Sequence, residues 1–325
     1  RYTEAKLTPA AMLLLEGLAL LAYAAHCCRT QPDFAWRLAR MLVIGAVAAA
    51  GFNFWFFAHE LIETGEPGAR LVDFFRRHRW SAHVGDVNAA GSFFAMFMLV
   101  AFGLALKDRS HRTAWIGAGA IVGLAMWMTK SRTAISAVLL VGALYVVRAT
   151  VARSMSWWRI AILAVAASVL IVGFGSQVAR SSAAARSVNY RWMFLETTWH
   201  MVEAHPVFGV GIGQYARWST HYSSPALIAI YPRENAHNNF SQVAGELGLT
   251  GLAAFLAVLA VCLWPSGRPG SSNPVITPVL VGLAVFIVSW LGGHPLLVPE
   301  VAYPFWMALA IVPGATSDII SRPHG

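Results

Sequence analysis

Apolar runs of about 17–25 residues recur along the whole chain, each long enough to cross a bilayer as a helix. Nine can be read, near 10–28, 38–58, 90–106, 113–129, 133–152, 157–175, 240–264, 275–292 and 303–320. In hydrocarbon every backbone N–H and C=O must be satisfied within the protein, and runs of this length do so as helices. The expected fold is an all-α, polytopic transmembrane bundle of about nine spans, one membrane domain over residues 1–325. Composition agrees. The chain is 57% hydrophobic and 12% charged, whereas soluble domains carry roughly 45–50% apolar and about 25% charged residues. Soluble-enzyme, disordered, collagen-like and disulfide-scaffold readings are excluded on that balance.

Two connections are long, an outer loop at 59–89 and a larger one at 176–239 between the sixth and seventh spans. The short loops set the orientation. Arg29, Arg37 and Arg40, then Lys107, Arg109 and Arg112, then Arg148, Arg153 and Arg159 fall on one side, expected to be cytoplasmic. Both long loops then lie outside. They carry Arg70, Arg76, Arg77 and Arg79, and Arg180, Arg186, Arg191, Arg217 and Arg233. Cations concentrated on the side that normally avoids them point to anion binding. This orientation also puts residue 1 outside. The chain opens on Arg1 with no signal-peptide cleavage pattern, so it is expected to begin inside a longer product, with an odd number of preceding spans.

The net charge is +9, from 24 Lys+Arg against 15 Asp+Glu. No aromatic-basic module accompanies it, so membrane lipids rather than nucleic acid are the expected partner. Cys27, Cys28 and Cys262 sit in or at the end of apolar runs and read as small packing residues. No D-x-D, H-E-x-x-H or Cys/His metal cluster and no Walker motif is present. The expectation is therefore no metal and no cofactor, and a substrate that arrives already activated.

Four segments carry candidate chemistry. In 233–251, Asn238, Gln242 and Glu246 form an i, i+4, i+8 stripe where the large loop re-enters the membrane. A polar stripe entering an apolar helix should face a wet cavity. His237 stands at the helix start, able to exchange protons near neutrality or simply to cap the helix. In 189–213, an amphipathic interfacial helix anchored by Trp192 and Trp199 is opened by Arg191 and ended by Pro206. Gly209, Gly211 and Gly213 then let backbone approach a ligand or the bundle. The outer turn Thr129–Thr133 holds Lys130 and Arg132 beside a hydroxyl, a set that suits a phosphate. Before the third span, Asp86 or Asn88 can cap the helix or line a cavity. Arg217 and Arg233, with His294 and Glu300 of the last outer loop, are further candidates for the same cavity.

These motifs meet a family. Gly85-Asp86-Val87-Asn88, Lys130-Ser131-Arg132, Arg191-Trp192, His205-Pro206-Val207-Phe208-Gly209-Val210-Gly211, Ala236-His237-Asn238-Asn239-Phe240 and Glu246-Leu247-Gly248-Leu249-Thr250-Gly251 follow one another over about residues 80–310. In order and in topology the chain resembles the O-antigen ligase and polymerase superfamily of bacterial membrane glycosyltransferases. Such enzymes have about a dozen spans and a cytoplasmic N-terminus, so three preceding spans would fit. The resemblance implies metal-free transfer of a glycan from an undecaprenyl diphosphate carrier to an acceptor hydroxyl at the periplasmic face of the inner membrane. The acceptor would be lipid A core, a growing glycan or a protein. It further implies that His237 is the base or positioner for that hydroxyl, and that Arg191 and Arg132 bind the diphosphate, with Lys130 beside them.

A rival reading is a transporter or flippase for a lipid-linked or anionic solute. It would also use a basic cavity, but calls for inverted repeats and broken helices. The sequence displays neither.

Overall fold

The computed structural model describes residues 9–31, 33–63, 75, 78–151, 182–264 and 273–315. Among them the regular elements are helices, with no strand. They are α1 (Pro9–Thr30), α2 (Phe34–Glu63), α3 (Val87–Lys107), α4 (Arg112–Thr129) and α5 (Arg132–Val151). After these come α6 (Ser182–Ala204), α7 (Tyr215–Tyr222), α8 (Pro225–Ile228), α9 (Asn239–Leu263), α10 (Ile276–Ser289) and α11 (Pro299–Ala315). Among the described residues four helices, α1, α2, α3 and α9, are long and apolar enough to cross a membrane. Shorter apolar stretches run over Arg132–Tyr145 and Ile276–Gly292. The expected sixth span, 157–175, lies outside the described residues, as do Arg70, Arg76, Arg77, Arg153, Arg159 and Arg180.

The central helix is α3. Every residue from Ala89 to Met98 is buried, as expected of a helix that is apolar on all sides. It packs along α4 and α10, with α2 and α5 beside them, and α1 lies along α11. Phe286 stacks on Phe305 at 5.1 Å, and Trp290 meets Phe305 edge-on at 5.2 Å. Large apolar side chains also point outward, among them Leu15, Met41, Ile44, Trp55 and Val261. In water such a surface would be a liability; in lipid it is the natural exterior.

The two ends of α3 differ. Near its C-terminus the Arg40 guanidinium donates to the buried Asp108 carboxylate at 2.8 Å, and the Trp115 indole donates to the same oxygen at 3.1 Å. The short basic loops 29–37 and 107–112 therefore meet at one end. About 30 Å away along α3, the N-terminal end is covered by residues 78–86. There the Trp80 N–H donates to the Met128 carbonyl at 3.1 Å. Asn53, fully buried within α2, accepts from the Ala82 N–H at 2.7 Å and donates to the Trp80 carbonyl at 3.4 Å.

The large loop is joined to the bundle by backbone. Helix α9 breaks at Gly248, which takes φ 68° and ψ −168°. The break leaves helical donors and acceptors without their usual partners, and residues 206–211 satisfy them. Val210 and Gly211 N–H donate to the Gly245 and Glu246 carbonyls at 3.0 and 2.9 Å, and Leu249 N–H donates to the Pro206 carbonyl at 2.8 Å. The Thr250 hydroxyl donates to the Val207 carbonyl. The glycine-rich turn thus approaches the bundle rather than a ligand, and the expectation of unbroken helices is corrected. A lone glycine in an apolar run does not announce a break. Helix α6 follows the amphipathic reading, burying Phe194, Thr197, Thr198 and Met201 while Trp192 and Trp199 stay exposed. It begins at Ser182, so Arg191 sits within the helix and does not open it.

A methyl group at Gly248 would lie 2.4 Å from the Val207 carbonyl oxygen on a backbone of positive φ. Gly248→Ala is expected to cost on the order of 1–3 kcal/mol, read as a lower thermal unfolding midpoint in detergent. Gly117→Ala in α4, where nothing lies within 4 Å, should be neutral or slightly stabilising. Equal midpoints for the two variants would contradict the proposed role of the break.

Candidate functional site

A cavity of about 370 Å³ opens where the large loop covers the bundle. Asn88 enters it from the first turn of α3 and Arg132 from the start of α5. Helix α6 supplies Arg186, Tyr190, Arg191 and Phe194 at i, i+4, i+5 and i+8, one face of a helix. Tyr231 and His237 come from the end of the loop, and Gly292 from the turn after α10. Residues far apart in sequence meet there because α3, α5 and α9 begin at the same end of the bundle, where α4 and α10 finish.

The cavity is electropositive by construction. The Arg191 guanidinium donates to the Thr133 hydroxyl at 3.1 Å and to the Gly292 carbonyl at 3.0 Å. Arg79 donates to the Thr129 carbonyl at 2.9 Å and to the Asn88 side-chain oxygen at 2.7 Å. Burial lowers the pKa of both guanidiniums, and the neighbouring charge of Arg132 lowers them further. Arginines remain charged even so. Arg132, Arg186 and Arg191 line the cavity, and the Arg79 charge acts on it from beside Arg132 and Arg191. Like charges brought together under partial burial favour an anion, and a planar guanidinium suits phosphate oxygens through paired hydrogen bonds.

His237 has a φ of 50°, a left-handed conformation that costs a non-glycine residue about 1–2 kcal/mol. The imidazole packs on Phe194 at 5.0 Å and on His294 at 4.9 Å. Its Nε2 lies 3.9 Å from a Glu234 carboxylate oxygen. Burial lowers its pKa, the Glu234 and Asp86 charges oppose that, and Arg191 adds to the lowering. The ring is thus biased toward the neutral form, which can accept a proton.

Other sequence candidates have different surroundings. Lys130 caps α4 in a left-handed conformation, and its ammonium turns to the Phe75 carbonyl and ring, not to the cavity. Asp86 caps α3, accepting from the Asn88 and Ala89 N–H groups. Asn238 caps α9, accepting from the Phe240 and Ser241 N–H groups. Gln242 and Glu246 are buried, but against the folded loop. Gln242 accepts from the Ala236 N–H and donates to Asn235 and to Glu246, which in turn accepts from the Tyr215 N–H. The stripe that should have faced a wet cavity braces the loop, because its orphan backbone groups are the nearer partners. Arg217 and Arg233 are exposed and do not line the cavity. Glu300, in the first turn of α11, does not line it either.

Arg79 and Arg186 belong to the outer-loop arginines whose placement points to anion binding, whereas no sequence motif marks Tyr190, Phe194 or Tyr231. Helical spacing from Arg191 would have found Arg186, Tyr190 and Phe194. Nothing local distinguishes Arg79 from the other arginines of its loop, or marks Tyr231. One group of metal-ligand type lies elsewhere among the described residues. His59, Glu60 and Glu63 place ligand-type atoms within 4.8 Å of one another, a H-E-x-x-E spacing on one face of α2. None of the three lines the cavity. His59 and Glu63 are solvent-accessible and pair with each other at i, i+4.

Inorganic pyrophosphate tests the anion site directly. It should raise the unfolding midpoint of the wild-type protein, and Arg132→Ala or Arg191→Ala should weaken its binding by about tenfold or more. Arg217→Ala and Arg233→Ala should bind it as the wild type does. Equal weakening by all four would mean that net charge, not this cavity, holds the anion.

The family comparison points the same way. A family model described as O-antigen ligase matches residues 96–256. The match runs from α3 through most of α9 and includes Arg132, Arg191 and His237. No curated protein matches the chain. Residues 96–256, about half of the chain, thus match the O-antigen ligase family.

Proposed function

We propose that the protein transfers a glycan from an undecaprenyl diphosphate carrier to an acceptor hydroxyl, without a metal, on the periplasmic face of a bacterial inner membrane. Glycan transfer is the general activity of the family. The carrier, the acceptor and the topology belong to the proposal. The bundle would be a single multi-pass domain of nine spans, with the region 80–310 carrying the activity. The acceptor would be lipid A core, as in a ligase, or a growing glycan, as in a polymerase.

One observation supports this reading above the others: Arg132, Arg191 and His237 open into one cavity. The acceptor oxygen attacks the anomeric carbon, the bond from that carbon to the diphosphate oxygen breaks, and the carrier diphosphate departs with the bonding pair. The arginines stabilise the charge that develops on the departing diphosphate. Neutral His237 takes the proton of the attacking hydroxyl. A sugar linked to a diphosphate is already activated, so no nucleotide is consumed in the step. The transporter alternative gains one feature, the break in α9. Its freed backbone groups are satisfied by residues 206–211 and so do not offer themselves to a solute.

The test is transfer by purified enzyme from undecaprenyl-diphosphate glycan to candidate acceptors, with and without EDTA. Turnover should survive chelation. His237→Ala should lower kcat by about 10²–10⁴-fold, and retained turnover would remove His237 from the base role. Arg191→Ala should raise KM for the carrier more than KM for the acceptor. Because burial lowers the His237 pKa, activity should hold through neutrality and fall only as pH drops below the ordinary histidine range, when the base becomes protonated.

A further inference from the structure

Behind His237, outside the cavity wall, lies a second histidine. His294 sits between the two short turns that link α10 to α11. Its ring meets the His237 ring at 4.9 Å with a 46° tilt. Its Nε2 lies 4.0 Å from the Asp86 Oδ2, while its Nδ1 is buried with no hydrogen-bond partner. An apolar ring would fill this space without leaving a buried nitrogen unpaired, so packing alone does not account for an imidazole here. Asp86 divides its work. Its Oδ1 caps α3, which leaves Oδ2 to face His294. Asp86, His294 and His237 therefore form a line from the head of α3 to the cavity.

We propose that His294 is a positioning residue, which holds the His237 ring in its reactive orientation and ties it to the Asp86 carboxylate. This rests on reading His237 as the acceptor base. The left-handed backbone at His237 does not hold its own side chain, so ring contacts must do so, and Phe194 and His294 make the two shortest. The charges that face the pair are those of Glu234, Asp86 and Arg191. Burial and the neighbouring His237 depress the His294 pKa to about 4. His294 thus stays neutral when His237 takes up a proton, and two carboxylates favour the imidazolium that forms.

The experiment measures kcat and carrier KM from about pH 5 to about pH 9, across the histidine range, in the full-length chain. The variants are His294→Phe, His294→Gln and Asp86→Asn, with His237→Ala as reference. His294→Phe keeps a ring but no nitrogen, and should lower kcat by about tenfold with carrier KM within about twofold. His294→Gln, which restores a polar group, should recover part of that loss. Asp86→Asn keeps a cap acceptor and removes the charge that favours the imidazolium, so the acid limb of kcat should move to lower pH. Wild-type kcat and acid limb in both His294→Phe and Asp86→Asn would overturn the proposal. So would lowered kcat with the acid limb unmoved in every variant, which would mark a packing role only. If His294→Phe does not fold, His294→Gln and Asp86→Asn decide. Turnover by His237→Ala sinks the base reading itself. An inactive His237→Ala beside unchanged His294 and Asp86 variants sinks only this inference.

Discussion

The backbone seam between residues 206–211 and the break at Gly248 holds the rest of the arrangement together. A helix broken partway along its length must find partners for its freed groups, and this one finds them in the chain that leads out of α6. The seam ties the large loop to the helix that follows it. Arg191 on α6 and His237 before α9 are both positioned by that closure. Gly209 and Gly248 allow it, because side chains at either position would meet backbone at 2.4 Å.

Electrostatics then gives the cavity its character. Arg79, Arg132 and Arg191 come from a loop, a helix start and the middle of another helix, and each lowers the charge tolerance of its neighbours. Two of them spend hydrogen bonds on carbonyls and side-chain oxygens of the bundle, which orients the guanidiniums. Partial burial weakens the screening that water would supply. An anion with several oxygens relieves this repulsion better than a single-charged ligand does. The Arg40–Asp108 pair at the far end of α3 is balanced by contrast, and reads as a structural tie between two short loops.

Much of this was legible in the chain. Apolar runs mark α1, α2, α3 and α9 because hydrocarbon leaves a long apolar segment little choice but helix. Arg132, His237 and Asn88 could be singled out because polar residues at the ends of apolar runs are costly without a reason, and Arg191 because it lies on an amphipathic helix of the arginine-rich outer loop. The same reasoning misjudged Gln242 and Glu246. Their stripe is real, but a folded loop satisfies buried polar groups as well as a wet cavity does. It also misjudged Lys130, since a left-handed cap turns the side chain away from the site that Arg132 reaches two residues later.

The sequence by itself determined the helical class, the polar ends of the spans and the excess of arginine in the long loops. Those follow from local composition and from the demands of lipid on a backbone. Only the tertiary structure decided which arginines share a cavity, that Gly248 breaks its helix, and that His294 stands against His237 with Asp86 behind it. Those depend on contacts between residues about 35 or more positions apart, and no local pattern encodes a partner at that distance.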